Sequence, residues 1–445
     1  MRFLIYFVCV TFPSFVFLQT VNYDDVAVIV NDNSSISLNV GEYFKMQRNI
    51  PATNIIHVNA PVSETIDSVQ FQAVRLQIED YLNSNNLVNS INYIVSTKGV
   101  PLKVFKTNCQ DIQCQTSFDS EISLLLSARQ NSILTGGNVL NTYYNSSEHF
   151  SKVNFDMYLV TRLDAFLETE IYDLIDRSGP STAVNPNNAL NVFDINYQGT
   201  YSSDEDYFKI QYDQVIDSLS LNGWNALIDT LSAPLINQSE VLLYAEFHMD
   251  SLLEDPNNNW LNGSFAELMN SFSALTFDYN GDLNYRLVLA DLISEGLTSG
   301  HGYTSSTFFN STLNLTNFEN AYLDTSLHFN FAESIYKSEK FLSNQSLTIG
   351  DPKTSIVINN TLNTPKLDDS FFSIFPNPIT DFLHVKSSEK IESIALYDLA
   401  GKLIFDIENQ QDKSVQLDLS HIAKGTYFLK LISGNQTYIE KIVKE

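Results

Sequence analysis

Basic residues are scarce. Lys and Arg number 25 against 52 Asp and Glu, a formal net charge of −27. Such a surface repels phosphate backbones and anionic lipid, so nucleic acid is not an expected partner. The deficit is uneven: from Phe371 onward, 8 Lys face 10 Asp and Glu, so nearly all the acidic excess lies upstream. That excess reads as a solubilising surface, with cation binding as the sharper alternative. Long apolar runs are missing beyond the N-terminus. Met1 to about Thr20 begins with Arg2, and its mostly apolar Phe3–Leu18 is broken by Thr11, Pro13 and Ser14. This is the pattern of a cleaved secretory signal rather than a membrane span, so the mature chain is expected to lack a transmembrane segment. Cysteine is nearly absent, with 3 in all. Cys9 lies in the signal without a lipobox. Cys109 and Cys114 are an even, closely spaced pair, read as a disulfide in an exported protein. A thiol or metal site is the alternative, and no His lies nearby. The chain also lacks a Gly-rich phosphate loop, a zinc motif and a nucleophile elbow, so no cofactor is expected.

What is present is an alternation of strands and helices. Asn92–Thr97 is a short apolar, β-rich run that stops at Lys98-Gly99-Val100-Pro101, where Gly allows a tight turn and Pro cannot continue a central strand. Val26–Val30, Asn54–Asn59, Met157–Leu163, Asn188–Asn196 and Glu240–Phe247 read as further strands. Helical spacing of apolar residues runs through Ile66–Leu87, Phe166–Arg177, Asp204–Leu221, Ser264–Ser273, Tyr285–Glu295 and Phe329–Leu342. The fold class expected is α/β, a mostly parallel sheet with helices on both faces. Residues 359–370 are rich in Asn, Thr, Pro and Asp and form a linker. Beyond it, short alternating strands without a helix pattern predict a small all-β sandwich over 371–445. The expected map is thus a signal peptide at 1–20, an α/β domain at 21–358, the linker and the sandwich.

Candidate chemistry falls where strands give way to helices. Lys98, Asp119, Glu121, Arg162 and Asp164 all lie at such joints, the place where open α/β sheets bind ligands. Paired carboxylates there can act as acid and base, with Lys98 or Arg162 steadying negative charge. The structural alternative makes them caps and ion pairs, with Asp119 capping its helix and Arg162 bonded to Asp164 or Asp119. His301, between Gly300 and Gly302, reads as a loop residue, and His248 follows a strand. Both are metal ligands only with partners the sequence does not place. Asp278, Asn280 and Asp282 provide oxygens at three positions of a calcium loop, but Gly281 falls two places early and Leu289 stands where such a loop needs Glu. A plain turn is the competing reading.

Two resemblances add to this. Phe375-Pro376-Asn377-Pro378, Leu396-Tyr397-Asp398-Leu399-Ala400-Gly401-Lys402, Leu417-Asp418-Leu419-Ser420 and Lys424-Gly425-Thr426-Tyr427-Phe428 form an ordered set. It resembles the C-terminal sorting domain of type IX secretion substrates from Bacteroidetes-like bacteria. The resemblance implies export, the type IX machinery as a partner through 371–445, removal of the domain, and release or attachment at the surface. Asn31 to Asn54, Thr97-Lys98-Gly99-Val100-Pro101-Leu102, Ser117–Glu121, Thr161-Arg162-Leu163-Asp164 and Gly350-Asp351-Pro352 form a second set. It resembles an uncharacterised, exosortase-associated family of exported proteins over residues 26–353, and is faintly similar to gingipain-type cysteine peptidases. Those peptidases need a His-Gly after one strand and a Cys after the next. The one His-Gly here is His301-Gly302, and no cysteine follows it. The resulting expectation is a secreted or surface protein whose α/β domain binds rather than catalyses, with a hydrolase using rim carboxylates or His as the alternative.

Overall fold

The structure, a computed structural model, describes residues 21–106, 115–129, 139–196, 203–231, 233–248, 255–278, 287–307, 311–359, 372–387, 390–399, 401–408, 412–433 and 436–445. The signal segment, Cys109, Cys114, Asn280, Asp282 and almost all of the linker lie outside these residues. The chain divides into two compact units, Met1–Asn359 and Asn360–Glu445.

The first unit is built on a ten-stranded sheet. Its strands in chain order are β1 (Val26–Asn31), β2 (Ile55–Val58), β3 (Tyr93–Thr97), β4 (Leu159–Leu163), β5 (Leu190–Ile195), β6 (Asn225–Asp229), β7 (Val241–Phe247), β8 (Trp260–Leu268), β9 (Ser299–Tyr303) and β10 (Ser346–Ile349). Their spatial order is β6-β5-β7-β8-β9-β10-β4-β3-β1-β2. Every neighbouring pair is parallel except β9 and β10. The sheet is therefore two parallel halves joined at one antiparallel seam. Strand carboxyl ends in one half lie on the opposite edge from those in the other.

Strand sequence explains the burial. β1, β3 and β4 are buried at every position, as strands covered on both faces must be. One face of this half, with Ala27, Ile29, Ile94 and Val160, packs on Phe71, Val74, Ile78 and Leu82 of the helix Ser68–Ser84. The other face, with Val28, Val30, Val95 and Leu159, shares a core with Val40 and Phe44 of the helix Ser35–Arg48 and continues into the second half. That helix starts where expected: the Ser34 hydroxyl accepts from the Ser37 amide at 3.3 Å.

Two expectations are corrected. Ser264–Ser273 is not helical; it contributes most of strand β8. Ala, Glu, Leu and Met favour a helix in isolation, but burial between two parallel neighbours overrides that preference. The buried Glu267 is tolerated because it accepts from Tyr303 Oη at 2.8 Å and lies 2.7 Å from His301 Nδ1. His301 is likewise not in a loop but in the middle of β9, fully buried. Its flanking glycines serve close packing: a Cβ at Gly300 would lie 2.7 Å from Leu289 Cδ2, and one at Gly302 2.8 Å from Ser273 Oγ. Both neighbours belong to the segment and the helix Leu289–Glu295 that cover β9.

The second unit is all-β, as expected. Phe372–Phe375, Phe382–Ser387 and Ser414–Asp418 form one antiparallel sheet, and Ser393–Asp398, Leu403–Glu408, Gly425–Ser433 and Gln436–Lys444 form another. Leu383, Val385, Leu396, Leu417 and Leu429 alternate inward to make its core.

Candidate functional site

Of the five charged groups expected where strands give way to helices, the structure brings four together at the carboxyl ends of β3 and β4: Lys98, Asp119, Arg162 and Asp164. Arg162, on β4, is fully buried. Its Nε donates to Asp119 Oδ2 at 2.8 Å and its Nη2 to Asp119 Oδ1 at 3.0 Å, a two-pronged pairing. Nη1 donates to the Val100 carbonyl at 2.9 Å and to Asp164 Oδ2 at 3.4 Å, and Nη2 also to the Pro101 carbonyl at 2.7 Å. All five guanidinium N–H directions are used. Burial alone would lower the guanidinium pKa, but Asp119 and Asp164 turn the shift upward. Ser96 Oγ donates to Asp119 at 2.8 Å. Asp119 does not cap its helix; the cap is Ser117, whose hydroxyl accepts from the Ser120 amide at 2.9 Å.

Lys98 continues the network. Its Nζ donates to Asp164 Oδ1 at 3.3 Å, to the Phe277 carbonyl at 2.8 Å and to Asp278 Oδ1 at 3.4 Å. Asp164 thus lies between two cations, yet burial still holds its pKa above the ordinary value. Asp278 is committed to Lys98, while Asn280 and Asp282 of the proposed calcium loop lie outside the described residues. A cavity of about 160 Å³ opens here, lined by Ser34, Glu64, Lys98, Gly99, Asp164 and Asp278 among others. Asp119 and Arg162 do not line it.

Glu121 and His301 do not join this cluster. Glu121 accepts from Ser343 Oγ at 2.6 Å, and burial pushes its pKa up to about 7. His301 is raised as well: burial alone lowers it, but the Glu267 carboxylate outweighs that, aided by Glu339. Its Nε2 has no hydrogen-bond partner.

A second cluster lies at the carboxyl ends of β5, β7 and β8, on the other edge of the sheet. His248 Nε2 stands 2.8 Å from Asp194 Oδ1, and both residues are buried. Asp194 Oδ2 also accepts from the Leu235 amide at 2.8 Å. Glu246 accepts from Asn270 Nδ2 at 2.8 and 3.0 Å. Burial pushes Glu246 up to about 8, with Asp194 adding to the rise and His248 opposing it. Burial lowers the His248 pKa, but Asp194 and Glu246 reverse this and raise it. The sequence reading passed over Asp194 and Glu246. Their signal was legible: each is the lone acid near the end of a mostly apolar strand, as Arg162 is the lone cation in β4. Among the described residues no group of three or more His, Cys, Asp or Glu can hold a metal ion.

Residues 373–445 match the family described as the secretion system C-terminal sorting domain. The chain is accordingly a substrate of the type IX route, sent to the cell surface or medium and shedding this domain on the way. No helix of the described residues is long and apolar enough to cross a membrane. No curated protein matches the chain in sequence. Among solved structures, the Arg-specific cysteine proteinase gingipain R aligns over 95% of this chain and 98% of its own at 12% identity, with a TM-score of 0.41. An immunoglobulin-like β-sandwich protein from Bacteroides vulgatus aligns over 18% of this chain and 88% of its own at 15% identity and a TM-score of 0.16. PorZ, a surface component of the type IX secretion system of Porphyromonas gingivalis, aligns over 23% of this chain and 14% of its own, at 14% identity and a TM-score of 0.16. Likenesses of this depth say nothing about activity.

Proposed function

We propose that the α/β unit is a non-catalytic binding module, delivered outside the cell by its sorting domain. One observation supports this above others. The charged groups at the ends of β3 and β4 spend their hydrogen bonds on one another and on turn carbonyls, Arg162 with all five donor directions. A catalytic carboxylate or cation needs capacity left for substrate. The second reading, a hydrolase, is favoured by one specific contact, His248 Nε2 against Asp194 Oδ1 at 2.8 Å. A carboxylate on one ring nitrogen fixes a histidine's orientation and raises its basicity, as in acid–base sites. The exported protein assayed on peptide, ester and glycoside substrates separates the two. The binding reading expects no turnover above background. Turnover that disappears in His248→Ala and persists in Lys98→Ala replaces it with the hydrolase.

A further inference from the structure

The sorting domain has two sheets, and their outward faces differ. In the sheet of Phe372–Phe375, Phe382–Ser387 and Ser414–Asp418, the outward residues of the central strand have polar cross-strand partners. Phe382 stands beside Asp418, His384 beside Gln416 and Lys386 beside Ser414, as a solvated face should. In the other sheet one row is apolar across three strands. Leu403, Tyr397 and Phe428 are neighbours in register, and the row ends at Lys441 on the fourth strand. Leu403 is 45% exposed and Phe428 38%. Ile404, at the bulge beside Tyr397, and Leu399, in the turn before Lys402, are also exposed at this end of the hairpin.

Core packing does not account for this row. Leu396, Leu417, Tyr427 and Leu429 point inward and form the core. Tyr397 and Phe428 come from the same motifs that mark the sorting family, yet they alternate with those buried residues and face the other way. Two separate segments, Leu396–Lys402 and Lys424–Phe428, thus set two aromatic rings side by side on one outer face. An exposed apolar patch with aromatics at its centre and charges round it is the anatomy of an interaction surface. Here the surrounding charges include Lys402 and Lys441, and the next row along the sheet is Asp406, Ala395 and Lys430.

We propose that the row Leu403, Tyr397, Phe428 is the surface by which the type IX machinery holds this substrate. The partner is a protein face with apolar side chains at its centre and carboxylates at its border. The fate of the domain decides between occupants. It is shed during export, so a surface on it serves the protein only until then. A sugar kept for the life of the mature protein has to be bound elsewhere. A second copy fits less well, because a two-fold pairing brings the lysine border of one face up to that of the other. A partner with carboxylates takes up Lys402 and Lys441 instead. The lysines then set orientation, and the two rings are the buried anchors. The inference rests on the export route and names the face that route uses; it is independent of what the α/β unit binds.

The test follows the full chain in a type IX-competent cell, by immunoblot of periplasm, cell surface and medium. Secretion of the parent chain checks the export route by itself. Tyr397→Ser combined with Phe428→Ser should leave about tenfold less protein outside the cell, with the remainder held in the periplasm. Lys441→Glu, at an exposed position and without loss of apolar packing, should lower secretion severalfold. Phe382→Ser is the comparison, because Phe382 is 47% exposed on the opposite sheet; it should be secreted as the parent is. Melting of the purified full chains separates recognition from folding. If the double variant melts lower than the parent, Lys441→Glu alone decides. Parental secretion of Lys441→Glu, or of a double variant that melts as the parent does, overturns the proposal. So does equal retention of Phe382→Ser, or a parent chain that is dimeric in solution and becomes monomeric in the double variant, which gives the face to a second copy.

Discussion

Arg162→Ala tests whether the network at the ends of β3 and β4 holds the fold together. The substitution removes a fully buried cation and leaves Asp119 and Asp164, each under 5% exposed, facing one another without it. It also strips the Val100 and Pro101 carbonyls of their donors, 2.9 and 2.7 Å away. Breaking a buried ion pair by removing one partner costs about 3–5 kcal/mol, because the survivor stays desolvated. Asp119 keeps Ser96 and Asp164 keeps Lys98, but the two-pronged pair and the donors of two carbonyls are lost, which places Arg162→Ala at about 3–5 kcal/mol, partly relieved where an aspartate takes up a proton. A domain's whole stability is roughly 5–15 kcal/mol, so the loss is a large share of it. Urea unfolding of the parent and variant, monitored by tryptophan fluorescence, reads the shift in midpoint. Arg162→Lys should recover little, since an ammonium has three donors and no planar fork to match Asp119. An unchanged midpoint in Arg162→Ala refutes the reasoning and moves these residues from scaffold to site.

Three further outcomes are expected. Glu246→Gln should stabilise the protein at alkaline pH: a carboxyl raised from 4.5 to about 8 binds its proton more tightly folded than unfolded, so its stability is full below about 4.5 and is lost as pH rises to about 8, roughly 5 kcal/mol in all. Melting followed from pH 4 to pH 9 should show that slope flattened in the variant, and equal slopes refute it. Gly99→Ala should cost about 2–3 kcal/mol, because Gly99 has φ +93° and an added Cβ would lie 2.2 Å from Ser34 Oγ, displacing the cap of the first helix; a denaturation midpoint equal to the parent's contradicts it. Residues 371–445 fused behind a signal peptide and a reporter should carry the reporter out of a type IX-competent cell, and a reporter held in the periplasm sinks the export assignment.

Much of this was legible in the chain itself. Buried strands such as Val26–Asn31 and Tyr93–Thr97 announce themselves as unbroken apolar runs, and the alternation Leu383, Val385 in the sorting domain does the same for a two-faced sheet. The pairing of Arg162 with Asp119 was legible as a pairing, because a guanidinium in an apolar strand must find a carboxylate. What local sequence does not carry is strand direction across a sheet. Nothing near Ser299–Tyr303 states that it runs against Ser346–Ile349; that follows from how the intervening helices cross the sheet. Nor does local sequence say that His301 of β9 and Lys98 after β3 belong to different halves of the sheet. Burial of Glu267 in β8 was hidden for a related reason, since its partners His301 and Tyr303 come from more than thirty residues away.

The antiparallel seam also brings chain from the second half across the rim of the first. Glu64 and the segment Leu275–Asp278, which follows β8 of the second half, meet at the end of β3. The Phe277 amide donates to Glu64 Oε1 at 2.6 Å, the Phe277 carbonyl accepts from Lys98 Nζ at 2.8 Å, and the Leu275 carbonyl accepts from Lys103 Nζ at 2.8 Å. Chain from the second half thus straps over the first half's rim, and both lysines are spent on holding it. Burial lowers the Lys103 pKa, which Glu64 opposes, as expected of a cation drawn in to serve backbone rather than solvent. A ligand larger than the cavity of about 160 Å³ beside Lys98 would have to displace the strap and leave two ammonium groups without their carbonyls, at the cost of unpaired buried donors. Among the described residues, the contacts of Asp194, His248 and Glu246 are met by Leu235, Tyr244, Asn270 and one another. Lys98 and Lys103 thus fasten the strap while Arg162 fastens Asp119, a use of charge that fits the binding reading proposed above.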